Sequence, residues 1–200
     1  IILMNSTCYG PVFPLRELFS RMDTTTCDFW GITQYYEDEI YPAHLNSCFL
    51  SFRKALTASR CFWDFFENID CLQTVGQVTD RYEARLTRYF TKRGYSYATY
   101  VTIRDHRWKQ GIGYFQPLAC SAAPWLVKKY RLPFCKVKAL DAGRFVTQNL
   151  FRALAEAGSP YPQRLIVEHQ RRVTPLSWPK APPGTLEIID PSTELPAPRL

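Results

Sequence analysis

The chain has 200 residues, 46% of them hydrophobic and 15% aromatic, which is enough for one core and excludes a disordered protein. Its formal charge of +7 points to an anionic partner: a nucleotide sugar, the phosphate of a lipid-linked acceptor, the inner membrane face or nucleic acid. No apolar stretch approaches the roughly 20 residues that span a bilayer, and no basic region precedes a cleavable apolar core, so the chain reads as soluble or peripheral.

In chain order, Ile1-Ile2-Leu3-Met4 is an apolar, β-branched run entering the polar Asn5-Ser6. It has the pattern of a core strand, which needs neighbours on both sides, so an N-terminally truncated domain is expected; an edge strand is the alternative. Leu15, Leu18, Phe19 and Met22 recur at helical spacing behind Pro14 and predict a helix over 14–22. Strands follow at 27–33 and 45–52, separated by the acidic, aromatic loop Tyr35-Tyr36-Glu37-Asp38-Glu39. A helix is predicted at 54–68, burying Leu56, Phe62, Trp63, Phe65 and Phe66. A second spans 78–93, closed by Gly94, and a strand covers 96–103. Further helices are predicted at 122–130, 144–157 and 163–171. Strands alternating with helices predict an α/β fold with a mostly parallel sheet and flanking helices. From Val173 the chain turns proline-rich, so residues 1–172 are expected to form the domain and 173–200 a tail or linker.

Seven cysteines, an odd number, sit mostly inside apolar runs and read as small core residues in a reducing, cytoplasmic setting. No Cys-x-x-Cys pair occurs, and His44, His106 and His169 are far apart in sequence, so a zinc site is not expected. The basic clusters at 104–109, 128–131 and 171–172 read as solvated faces. They form no nucleic-acid module, and the aromatic residues fall at core rather than base-stacking spacing, which sets nucleic acid aside.

Two stretches read as buried strands that deliver polar side chains to their ends: Cys27-Asp28-Phe29-Trp30-Gly31-Ile32-Thr33 and His44-Leu45-Asn46-Ser47-Cys48-Phe49. Asp28, an acid inside the first, is costly to bury without a purpose or a partner. Asp80 and Glu83 open a helix, where acids also favour the dipole.

With Asn5-Ser6-Thr7, the Asp-Phe-Trp-Gly run at 28–31 and the His-Leu-x-Ser-x-Phe run at 44–49, the chain resembles the rhamnan synthesis protein F family from Ile2 to about Arg172. A Phe- and Trp-rich helix, Tyr82-Glu83, and Pro133-Phe134-Cys135-Lys136 extend the resemblance. It implies a GT-A-like glycosyltransferase domain, with residues 1–172 its C-terminal portion. The implied reaction is an inverting transfer of a sugar, rhamnose by the family name, from a nucleotide donor to a growing rhamnan, lipopolysaccharide or similar glycan at the inner face of the membrane.

Under that resemblance Glu83 is the base that takes the acceptor's proton, with Asp28 a second catalytic acid. Asn5, Ser6, Trp30, Gly31, Thr33, His44, Asn46 and Ser47 bind donor or acceptor, and Lys136 neutralises the pyrophosphate. The alternatives are a polar turn at 5–7, a structural pair or cap for Asp28, a surface role for His44 and Lys136, and a helix-start acid for Glu83. The resemblance implies a divalent metal, Mg²⁺ or Mn²⁺, as the cofactor. The family pattern Asn-Asp-Ser, however, stands here as Asn5-Ser6-Thr7, with a serine, a poor metal ligand, in the place of the aspartate, which leaves metal dependence open. The same departure leaves open a transferase-like domain that binds or scaffolds glycan without catalysis.

Overall fold

The computed structural model describes residues 1–37, 39, 41–102, 122–137, 140 and 144–173. The predicted tail beyond Val173, the basic cluster at 104–109 and the end of the predicted strand 96–103 lie outside them. The strands are β1 (Ile2–Met4), β2 (Cys8–Tyr9), β3 (Phe29–Gly31), β4 (Gln34–Tyr35), β5 (His44–Leu45), β6 (Phe49–Phe52), β7 (Tyr97–Thr99) and β8 (Cys135–Lys136). The helices are α1 (Leu15–Asp23), α2 (Lys54–Thr57), α3 (Arg60–Glu67), α4 (Val75–Val78), α5 (Ala84–Thr91), α6 (Ala123–Tyr130), α7 (Arg144–Glu156) and α8 (Arg164–Val173).

The central sheet has the order β1-β6-β3-β7, while β2-β8 and β4-β5 form two-stranded ribbons. The expectation of a mostly parallel, GT-A-like sheet is wrong: among these pairs only β3 and β7 run parallel, and every other pair is antiparallel. The reason lies in residues 32–48, between β3 and β6. A parallel return needs a crossover of a dozen or more residues, usually a helix. This segment instead forms the β4-β5 ribbon, so β6 comes back antiparallel and inserts between β1 and β3. Because β6 is antiparallel to both, β1 and β3 share one direction, and β7 shares it too. The inference from alternating strands and helices to a parallel sheet therefore fails at β6, which runs against both of its neighbours.

Alternation along the strands divides the core between the two sheet faces. Phe29, Leu50 and Phe52 face α2, α3 and α5, meeting Leu56, Phe62, Leu86 and Phe90. Trp30 and Phe49 face the other way, onto Leu18 and Met22 of α1, Leu126 and Val127 of α6, and Leu150 and Leu154 of α7. β1 lies at the edge of the sheet, with Ile1, Ile2, Leu3 and Met4 exposed, and pairs with β6 alone among the described residues.

Two predicted helices are interrupted. Residues 54–68 break at Ser59, whose Oγ accepts from the Phe62 amide and starts α3 as its N-cap. The break turns Trp63 outward, 46% exposed. Residues 78–93 begin earlier, at a capping box formed by Thr74 and Gln77, and widen into a π-turn, Thr79–Glu83, before α5. Gly94, at φ 87°, ends the segment in the left-handed region that glycine favours.

The basic residues at the end of α6 have structural partners. Lys128 pairs with Glu156 at 2.6 Å. Arg131 forks onto both Glu17 oxygens, Nε to Oε2 at 2.7 Å and Nη2 to Oε1 at 3.1 Å, and donates to the Ala157 carbonyl. The hydrogen bond and charge of Arg131 hold the Glu17 carboxyl below the usual carboxylate range. A lowered carboxyl pKa stabilises the fold above the unfolded glutamate's value, and that contribution disappears as pH falls through the folded one. Glu17→Gln is therefore expected to lose about 1 kcal/mol at neutral pH, a figure limited by solvent screening of a half-exposed pair. Urea unfolding of both proteins should show this gap closing in acid; a gap independent of pH would discount the pair.

Candidate functional site

The common direction of β1, β3 and β7 puts their C-terminal ends on one rim, together with the N-terminal end of β6. Such a rim is where open α/β sheets present ligand-binding groups. Asn5, just past β1, donates its amide to the Cys48 carbonyl, just before β6, at 3.3 Å. Thr33, past β3, and Asn46 are buried and bonded to each other: Thr33 Oγ1 donates to Asn46 Oδ1 at 2.9 Å, and the Asn46 amide donates to the Thr33 carbonyl at 3.0 Å.

The π-turn and α5 pack along this rim and fix the segment 45–47. The Leu45 amide donates to Thr87 Oγ1 at 2.9 Å, and the Ser47 amide donates to Glu83 Oε1 at 3.0 Å. With the Asn46–Thr33 bond, three successive amides are held, so Ser47 and Glu83 are preorganised. Glu83 is half-buried, and its Oε2 has no partner among the described residues. β8 brings in Lys136 opposite Cys8, and the Val137 amide closes onto the Thr7 carbonyl at 2.9 Å. The Cys48 thiol lies within reach of the charges of both Lys136 and Glu83; its hydrogen bond with Cys8, and then its burial, push its pKa well up. The described rim thus gathers Asn5, Ser6, Ser47, Glu83 and Lys136, half-buried or exposed, above buried Thr33 and Asn46.

Other candidates fall elsewhere. Asp28 precedes β3, at the end of the sheet away from Thr33. Its Oδ2 accepts from the Ser96 amide and hydroxyl at 2.7 and 2.8 Å, and its carbonyl accepts from the Arg53 amide. These bonds tie the starts of β3 and β7 together. Trp30 is buried between Phe19 and Phe49. Gly31 gives close approach to protein: a Cβ there would meet Leu45 and the Phe49 carbonyl at 3.3 Å. His44 is buried, with Nδ1 2.8 Å from the Pro42 carbonyl oxygen and its ring stacked on Tyr35 at 5.0 Å.

Neither Thr87 nor Cys8 was among the candidate site residues read from the sequence. Thr87 follows Glu83 by four residues, which puts both on one helix face, and that spacing was the available signal. Cys8 has no such signal, because its approach to Cys48 depends on β1 pairing with β6.

A divalent metal does not fit the described rim. Asn5 Oδ1 accepts from the Thr7 amide and hydroxyl at 3.2 and 2.9 Å, closing a polar turn. Ser6 is exposed, Lys136 supplies a positive charge, and Glu83 is the carboxylate engaged by Ser47. Hard cations take clustered carboxylate and carbonyl oxygens, and no three His, Cys, Asp or Glu side chains gather for one among the described residues. No described helix is long and apolar enough to cross a membrane.

Neither a comparison with curated proteins nor one with solved structures returned a match. A family profile described as Rhamnan synthesis protein F matches residues 1–187 of the 200. The match runs through β1, the rim and all the described helices, so the chain belongs to the rhamnan synthesis protein F family, whose business is polysaccharide synthesis.

Proposed function

We propose that this chain is the transferase domain of an inverting glycosyltransferase, moving a sugar from a nucleoside diphosphate donor to a growing bacterial polysaccharide at the inner face of the membrane. Rhamnose is the sugar the family description favours. The observation that carries the reading is Glu83, a half-buried carboxylate fixed by the Ser47 amide, whose second oxygen has no partner among the described residues, beside Asn5-Ser6-Thr7 and near Lys136. In the proposed step, Glu83 Oε2 takes the proton of an acceptor hydroxyl as its oxygen attacks the anomeric carbon. The bond from that carbon to the phosphate oxygen breaks, and the electron pair leaves on the nucleoside diphosphate. Lys136 neutralises the charge that develops there, in the role a metal otherwise takes.

Calorimetry of the chain with a panel of nucleoside diphosphate sugars tests this. One of them is expected to bind, and Lys136→Ala to weaken it about tenfold, the scale of one lost charge-assisted hydrogen bond. A second reading, a glycan-binding or scaffolding domain without catalysis, is favoured by Ser6 in the place of the family's aspartate. Absence of donor binding by the folded chain would select it.

A further inference from the structure

Opposite the face of α5 that carries Thr87 lies a line of cations. Arg81, Arg85, Arg88 and Lys92 follow one another at helical spacing, and all four are exposed. Arg81 is paired with Asp70 at 2.7 Å, whereas Arg85, Arg88 and Lys92 form no ion pair with a described residue. These three line an open cleft of about 820 Å³, walled across from α5 by Tyr41 and Pro42. Asp80, the one acid among the described residues of the lining, is engaged by the Tyr41 hydroxyl. Arg93 also lines the cleft, its guanidinium 3.6 Å from the Tyr89 ring centre and donating to the Tyr89 carbonyl at 2.9 Å. Tyr41 is braced by edge contacts to Tyr35 and His44.

We propose that this cleft is a second binding site, separate from the Glu83 rim, that takes a phosphoryl anion: a diphosphate or a phosphomonoester. Unpaired like charges one turn apart repel, and a multivalent anion between them removes that cost. Arg85 and Arg88 offer planar forks that match phosphate oxygens, and Lys92 adds a point charge on the next turn. A carboxylate, with one charge, satisfies only one of them, while the two phosphoryl groups of a diphosphate reach cations on adjacent turns, about 5.4 Å apart. The volume lies within the range of small-molecule sites. The proposal holds whether or not the chain transfers sugar.

The anion could come from a soluble diphosphate or from a lipid headgroup, and two probes separate these sources. Inorganic pyrophosphate is titrated calorimetrically into the full chain, and the chain is sedimented with phosphatidylcholine vesicles made with and without phosphatidic acid. A soluble source predicts pyrophosphate binding without vesicle recruitment; a headgroup source predicts recruitment only by phosphatidic acid. In either case the combined change Arg85→Gln, Arg88→Gln and Lys92→Gln should weaken binding about tenfold or more, and Arg171→Gln, a cation outside the cleft, should not. Arg88→Gln alone, measured alongside with circular dichroism, guards against misfolding of the triple variant. The proposal is overturned if neither probe binds, if the cleft variants bind as the parent does, or if Arg171→Gln weakens binding equally.

Discussion

Glu83→Gln is expected to lower sugar transfer by about 100-fold or more, the scale of a lost general base, with donor affinity unchanged within a few fold. Glutamine keeps the volume and an oxygen to accept from the Ser47 amide, so the segment 45–47 stays in place while the proton acceptor disappears. Glu83→Ala separates the two roles, because it also strands the Ser47 amide and should cost about 1–2 kcal/mol of stability. Steady-state transfer assays with thermal melts on all three proteins read both effects. Transfer by Glu83→Gln at the parental rate would reduce Glu83 to a clamp on Ser47. Asp80, engaged by Tyr41, would then be the next acid on the same turn to test, ahead of Asp28 at the other end of the sheet.

Phe90→Ala should be the most damaging core substitution on the α5 side of the sheet, at about 3–5 kcal/mol. Phe90 is fully buried and meets the rings of Phe29, Phe52, Phe62, Phe65, Tyr89 and Tyr95, with centroids 5.2–6.4 Å away. It joins α5 to β3, β6 and α3, so the cavity opens where four elements meet and cannot close by the shift of one. Because α5 also carries Thr87, which holds the rim, the variant should lose donor affinity along with stability. Urea unfolding gives the first number and calorimetry the second. A loss below about 1 kcal/mol would mean that the surrounding rings collapse into the space.

Local pattern was enough to identify most elements. Leu15, Leu18 and Met22 have the period of a helix, and Phe29-Trp30 and Phe49-Leu50 the apolar density of strands buried on both faces, because those periods follow from backbone geometry alone. The polar strand-end residues Asn5, Thr33, Asn46 and Ser47 were visible for the same reason. The break at Ser59 and the early start at Thr74 were harder to see: both residues act through side-chain hydrogen bonds to backbone three residues on, and at Ser59 that bond outweighs the apolar period running through it. Which strands are neighbours, and so whether the sheet is parallel, was decided by the tertiary structure, since the return of β6 depends on residues 32–48 forming a ribbon instead of a helix. The same pairing brings Asn5 to Cys48, Cys8 to Lys136, and Glu83 to Ser47 across separations of 36 to 128 residues, while Asp28, beside Trp30 in the sequence, is carried to the opposite end. A strand's period says which face a side chain occupies; only its partners say which rim it reaches.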